Sequence, residues 1–164
     1  MDSDVNEKNR PYMAAGILMV ISIVAVMTSQ IYLGAVFDWE DKPFTAVFRM
    51  YQEHLPVIQI VWFIFALGSM LLIPVSLLLY SCFRTGRDEL LRIGACFGVI
   101  AGFSYVIGIM RWVLLAEALS GKYISAVTTG AADGGKALAE MFDAFNVYAG
   151  NSFGETIAPI AHAT

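Results

Sequence analysis

The sequence predicts an all-α protein: a transmembrane helical bundle of three spans with a C-terminal amphipathic or interfacial helix. The first observation behind this is a set of three uncharged runs, Tyr12 to Phe37, Leu55 to Phe83 and Ile93 to Met110, of 26, 29 and 18 residues. At about 1.5 Å per helical residue, each can cross a hydrocarbon core of about 30 Å. The second is composition: 58% of residues are hydrophobic and 15% charged, against about 45–50% and about 25% in soluble domains. The excess lies in the runs themselves, so they suit lipid as a solvent better than a large soluble core. At 164 residues the chain fits one membrane domain, with spans expected at about 12–37, 55–83 and 90–115.

The first eleven residues hold Asp2, Asp4, Glu7, Lys8 and Arg10, and the apolar run after them far exceeds a 7–15-residue signal core. The run is therefore expected to stay attached as the first span. Pro11 suits its opening turn, because proline lacks an N–H that would be unpaired there anyway. Asp38 and Trp39 mark the far boundary. In the loop that follows, Phe44, Val47, Phe48 and Tyr51 are spaced like one face of a short surface helix.

The second span opens at Leu55-Pro56 and carries Pro74 inside it, where a lost hydrogen bond predicts a kink. A turn over residues 84–89 leads into the third span, with Asp88 and Glu89 well placed against the positive end of the helix dipole. Lys8, Arg10, Arg84, Arg87 and Arg92 predict that the N-terminus and this turn are cytoplasmic, although Lys42 and Arg49 lie in the opposite loop. Trp39, Trp62 and Trp112 then fall near the outer face and Tyr12 and Tyr80 near the inner one, as in aromatic belts. Cys82 and Cys96 lie near the reducing face and read as packing residues.

Residues 121–135 are rich in glycine, alanine, serine and threonine and read as an exposed loop. Over 136–149 a helical stripe of Leu138, Met141, Phe142, Phe145 and Tyr148 predicts an outer amphipathic segment. Thr156 to Ala161 is apolar but too short to span.

The sharpest local pattern is Gly94-x-x-x-Gly98-x-x-x-Gly102, extended by Ser104 and Gly108. Glycines four apart share a helical face and let another backbone approach closely, which in lipid is a main source of helix association. That face fits the chain's own first or second span, a partner subunit, or a second copy. Arg111 closes the run about 31 Å along the third helix, near the far interface. It can snorkel outward beside Trp112 or turn inward to an acid, with Glu117, Asp143 and Glu155 as candidates. Glu117, six residues on, points to a different side of the helix.

Reactive constellations are not legible. His54 and His162, with Glu53 and Glu155, carry no metal-ligand spacing, and no span has an interior histidine for a haem. No phosphate-binding loop or nucleophile motif occurs, and the spans hold neutral Gln30 and Gln59 where a relay would need acids. The expectation is thus no enzyme, no cofactor and no metal. The absence of a basic cluster also excludes nucleic acid.

The segment Met110-Arg111-Trp112-Val113-Leu114-Leu115, followed by Phe142-x-x-Phe145-Asn146-x-Tyr148-x-Gly150 and Gly154-Glu155, resembles an uncharacterised family of bacterial multi-pass membrane proteins. That family is known only as a domain of unknown function. The resemblance covers roughly residues 90–157 and is looser over the first two spans. It implies location and fold class, and a shared polar cluster of Arg111, Asn146, Tyr148 and Glu155 at the outer face. In the family the glycine–glutamate pair leads into further spans, so the resemblance implies a shortened member.

These readings lead to a non-catalytic subunit of a larger bacterial inner-membrane complex, respiratory or photosynthetic assemblies being reasonable hosts. Its expected partners are the lipid bilayer and other membrane subunits or further copies of itself. The alternative is an oligomeric protein that binds or transports a small ligand or ion at a polar site around Arg111. A lipid-modifying enzyme would rest on Glu53, His54 and His162 alone.

Overall fold

The computed structural model describes residues 2–37, 39, 42–84 and 88–163. The side chains of residues 2–9, 132 and 162–163 lie outside that description, as do the boundary residue Asp38 and the turn residues 85–87. Among the described residues there is no strand. The elements are α1 (Asp2–Val36), α2 (Phe44–Glu53), α3 (Leu55–Met70), α4 (Leu72–Phe83) and α5 (Glu89–Met110). A π-helical turn, π1 (Arg111–Leu115), then joins α5 to α6 (Ala116–Thr128). They are followed by α7 (Ala132–Phe145), a π-helical stretch π2 (Asn146–Ile157) and α8 (Ala158–Ala163).

Three helical lengths are long and apolar enough to cross a membrane: Arg10–Val36, Leu55–Phe83 and Glu89–Thr128. The first helix starts well before its apolar run, so Pro11 lies inside it and not in its opening turn. The hydrogen bond lost there falls where the helix meets the charged N-terminal residues, and water can hydrate the released carbonyl. The second span breaks at Leu71, and Pro74 sits in the first turn of α4, where its missing N–H is not needed. The Gly68 carbonyl next to this break accepts from Leu71 N at 3.2 Å and from the Ser22 hydroxyl of α1 at 2.8 Å.

The third span differs most from expectation. It runs on as helix to Thr128, through the first half of the stretch that reads as a loop. Leu119 and Tyr123 recur one turn apart and are buried against the rest of the chain. That packing outweighs the weak helix propensity of the glycine, serine and threonine around them. The helix stops at Gly130, whose φ of 79° suits only a residue without a side chain. At 40 residues the helix is about 60 Å long, roughly twice the hydrocarbon thickness.

The excess length carries a cap. Helix α2 packs on α6 and α7 and buries Val47, Phe48 and Tyr51, so its apolar face is covered by protein and does not lie on lipid. On α7 the buried seam is Gly135, Ala139 and Phe142, while Met141 and Phe145, and Tyr148 just beyond in π2, are exposed. The predicted stripe is therefore only partly the packed face. The tryptophans also depart from the belt reading: Trp62 and Trp112 are 3% and 1% exposed, inside the core. All three indoles meet there, with Trp39 5.4 Å from each of the other two.

Within the spans, α1 packs on α3 and α4, and α5 packs on α3 and α4. The second span thus stands between the first and third. The return segment π2–α8 lies antiparallel along α5: Asn146 meets Arg111, Gly154 meets Gly108, and Ala161 shares a cavity wall with Gly98 and Ala101.

Candidate functional site

Where α5 passes into α6 the helix widens, and π turns of this kind gather at functional sites because they free backbone groups for other partners. Here the partners are side chains from distant elements. The Tyr51 hydroxyl of α2 donates to the Trp112 carbonyl at 2.6 Å. Gln59 Nε2 of α3 donates to the Val113 carbonyl at 3.4 Å and to Glu117 Oε2 at 2.6 Å. Gln52 Nε2 donates to the Ser120 hydroxyl at 2.8 Å, and Ser120 donates on to the Glu117 carbonyl at 3.1 Å. Burial holds the Tyr51 phenol well above its usual range, and the nearby Glu117 charge adds to that. The hydroxyl therefore stays a donor.

Arg111 faces the opposite side of the junction. Its Nε donates to Asn146 Oδ1 at 2.7 Å, and Nη1 donates to the Gly108 carbonyl. Its guanidinium carbon stands 5.6 Å from the Trp112 ring centroid, a cation–π arrangement. Gly150 of π2 makes the room: a Cβ there would overlap the guanidinium. One turn on, a Cβ at Gly108 would come within 2.9 Å of the Gly154 Cα, so two backbones touch at this level. The charge of Glu155 acts on Arg111, without a direct ion pair among the described residues.

Of the residues the sequence singled out, the structure brings Arg111, Asn146 and Glu155 into one neighbourhood. Glu117 belongs to the Gln59 side. Tyr148 is 64% exposed and pairs with Phe153, ring centroids 5.9 Å apart. Asp143 is exposed. Along the glycine ladder, Gly98 meets Ser76 and Gly102 meets Ile73, both on α4, and Gly94 has open space. His54 Nδ1 lies 3.2 Å from the Met50 carbonyl, and the His162 side chain is outside the described residues. Among the described residues no three histidine, cysteine or acidic groups gather as a metal site would require. The hydrogen-bonding roles of Tyr51, Gln52 and Ser120 had no signal in the sequence, since they depend on which distant carbonyls and side chains the fold brings together.

A sequence model described as a domain of unknown function, DUF4386, matches residues 14–164. The chain belongs to that family. The DUF4386 match takes in the first two spans as well as the region 90–157 that carries the motif resemblance, so α1, α3 and α4 are part of the family's fold. No curated protein matches the chain, and no solved structure does.

Proposed function

We propose that this DUF4386 protein is a non-catalytic integral subunit that packs against and stabilises a larger bacterial inner-membrane complex, with its N-terminus in the cytoplasm. The observation that carries the reading is how the polar side chains at the Arg111 end are used. Tyr51, Gln52, Gln59 and Arg111 all donate to groups on other helices, so each ties one helix to another. Such donors rigidify a scaffold.

Helix α1 supplies the surface for a partner. Gly16 and Gly34 have open space at the position of a Cβ and lie 18 residues apart, five helical turns, so they share a face. Val20 and the 68% exposed Ile31 lie on the same side. Small residues at a lipid-facing surface are where a second helix approaches closely. Orientation rests on Lys8, Arg10, Arg84, Arg87 and Arg92 at one end, against Lys42, Arg49, Lys122 and Lys136 on the cap.

Extraction from native membranes in a mild detergent, followed by native mass measurement, tests the proposal. The expected species is heavier than one chain and carries identified membrane companions or further copies. A lone monomer at every detergent concentration overturns it.

A further inference from the structure

Helices α1 and α5 stand on either side of the second span, and a groove runs along it between them. Three cavities make up this groove and share walls: the upper and middle ones share Ser22, Ile23 and Leu72, and the middle and lower ones share Ser76, Leu79 and Gly94. Along α5 the groove extends from Tyr105 to Leu90, about 22 Å.

The parts of the groove differ in how their polar groups are treated. In the middle part, Ser22 and Ser76 already donate to the Gly68 and Leu72 carbonyls, so that stretch presents an apolar wall, and Tyr80 and Asp88 line the lower end. The upper cavity, of about 250 Å³, is lined by the Gln30 amide, the Ser69 hydroxyl and the Tyr105 phenol. None of these three hydrogen-bonds to a described residue, although Ser69 is only 3% exposed. Polar groups left unpaired in hydrocarbon are costly and point to a missing partner.

The wall chemistry defines that partner. No charged side chain lines the upper cavity, so the head it takes is neutral. Amide, hydroxyl and phenol can all donate, so the head carries acceptors. Gln30 lies about 9 Å inside the end of α1 and Tyr105 about 9 Å before Arg111, deeper than the interface where phospholipid headgroups lie. Phe65 and Met27 complete the wall, apolar and polarizable surfaces that suit a flat ring.

We infer that the groove binds a neutral ring lipid with carbonyl acceptors and a long apolar tail, the chemistry of an isoprenoid quinone. The head sits among Gln30, Ser69 and Tyr105, and the tail runs over Gly98 and the uncovered Gly94. The inference depends only on the spans lying in lipid, and so stands apart from the subunit reading.

The test titrates decylubiquinone into the full chain in phosphatidylcholine nanodiscs and follows tryptophan fluorescence, since Trp62 stacks on the cavity residue Phe65. Saturable quenching is expected. Tyr105→Phe, Ser69→Ala and Gln30→Leu should each weaken it about fivefold, the effect of one hydrogen bond. Decylbenzene, with the same tail and no carbonyls, should compete at least tenfold more weakly. Gly94→Leu should weaken the decyl-tailed ligand and spare tail-less duroquinone. Non-saturating quenching, equal competition by decylbenzene, or displacement by dioleoylglycerol as readily as by quinone overturns the inference. Tyr105→Phe and Ser69→Ala nearly conserve volume, and the decylbenzene comparison uses the unmodified protein, so the result does not depend on Gln30→Leu folding.

Discussion

The hydroxyl of Tyr51, on the short helix outside the spans, donates to the main-chain carbonyl of Trp112 at 2.6 Å. That carbonyl lies in the π turn, where the widened helix has given up its usual bonding pattern. One side chain thus ties the cap to the longest helix at its irregular point. Tyr51→Phe keeps the ring contacts with Phe37 and removes only the donor. A buried acceptor left without a partner costs about 1–3 kcal/mol. Denaturant titration in detergent, followed by tryptophan fluorescence, should show a loss of that size.

The same phenol gives a pH limb. Its folded pKa lies above the ordinary value of about 10 because burial favours the neutral form. The unfolded chain therefore loses this proton first, and the stability linked to it is fully present below about pH 10 and lost as pH rises above that. A stability profile between pH 8 and 11 should fall at its alkaline end in the wild type. In Tyr51→Phe that fall should be smaller.

The apolar runs, the glycine ladder and the break near Pro74 were legible because each is a local pattern of composition or backbone chemistry. Arg111 was legible as well, since a charge closing an apolar run needs an explanation. The cap was not. Phe48, Tyr123 and Phe142 come from three separate elements, and periodicity shows only that each helix has an apolar face. It does not show that these faces meet each other and not lipid. The roles of Tyr51 and Gln59 were hidden for a related reason: their acceptors exist only once the helix widens at Arg111.

Three glycines of the third span and its neighbour separate space from strain. An alanine at Gly108 would press on the Gly154 backbone, which cannot turn aside, so Gly108→Ala should cost about 1–3 kcal/mol. At Gly150 the neighbour is the end of the Arg111 side chain, so alanine should displace the guanidinium from Asn146 and cost about as much as that charged hydrogen bond, about 1.5–3 kcal/mol. Gly94→Ala meets open space and should be neutral or stabilising by up to about 1 kcal/mol, through helix propensity. Midpoints of detergent-phase denaturation should drop for Gly108→Ala and Gly150→Ala and hold level or rise for Gly94→Ala.

Arg111 and Asn146 should behave as a coupled pair. A double-mutant cycle of Arg111→Leu and Asn146→Ala should give a coupling energy of about 1.5–3 kcal/mol, the usual size for a hydrogen bond to a charged group. Arg111→Lys should not restore it. An ammonium cannot donate at once to Asn146 and the Gly108 carbonyl while lying over the Trp112 ring, as the planar guanidinium does. Additive single-variant effects would show that the π2 segment is held by backbone packing alone.

The length of the third helix makes a claim about depth. Only about half of its roughly 60 Å fits within hydrocarbon, so α6 is expected to stand outside it, in water. With Cys82 and Cys96 replaced by serine, single cysteines introduced at exposed Ser125 and exposed Ile100 probe this. A membrane-impermeant maleimide should label the residue-125 variant in intact nanodiscs and leave the residue-100 variant unmodified until detergent is added. Protection of both sites would mean that the cap lies within the bilayer. Labelling of both would mean that the third helix does not span.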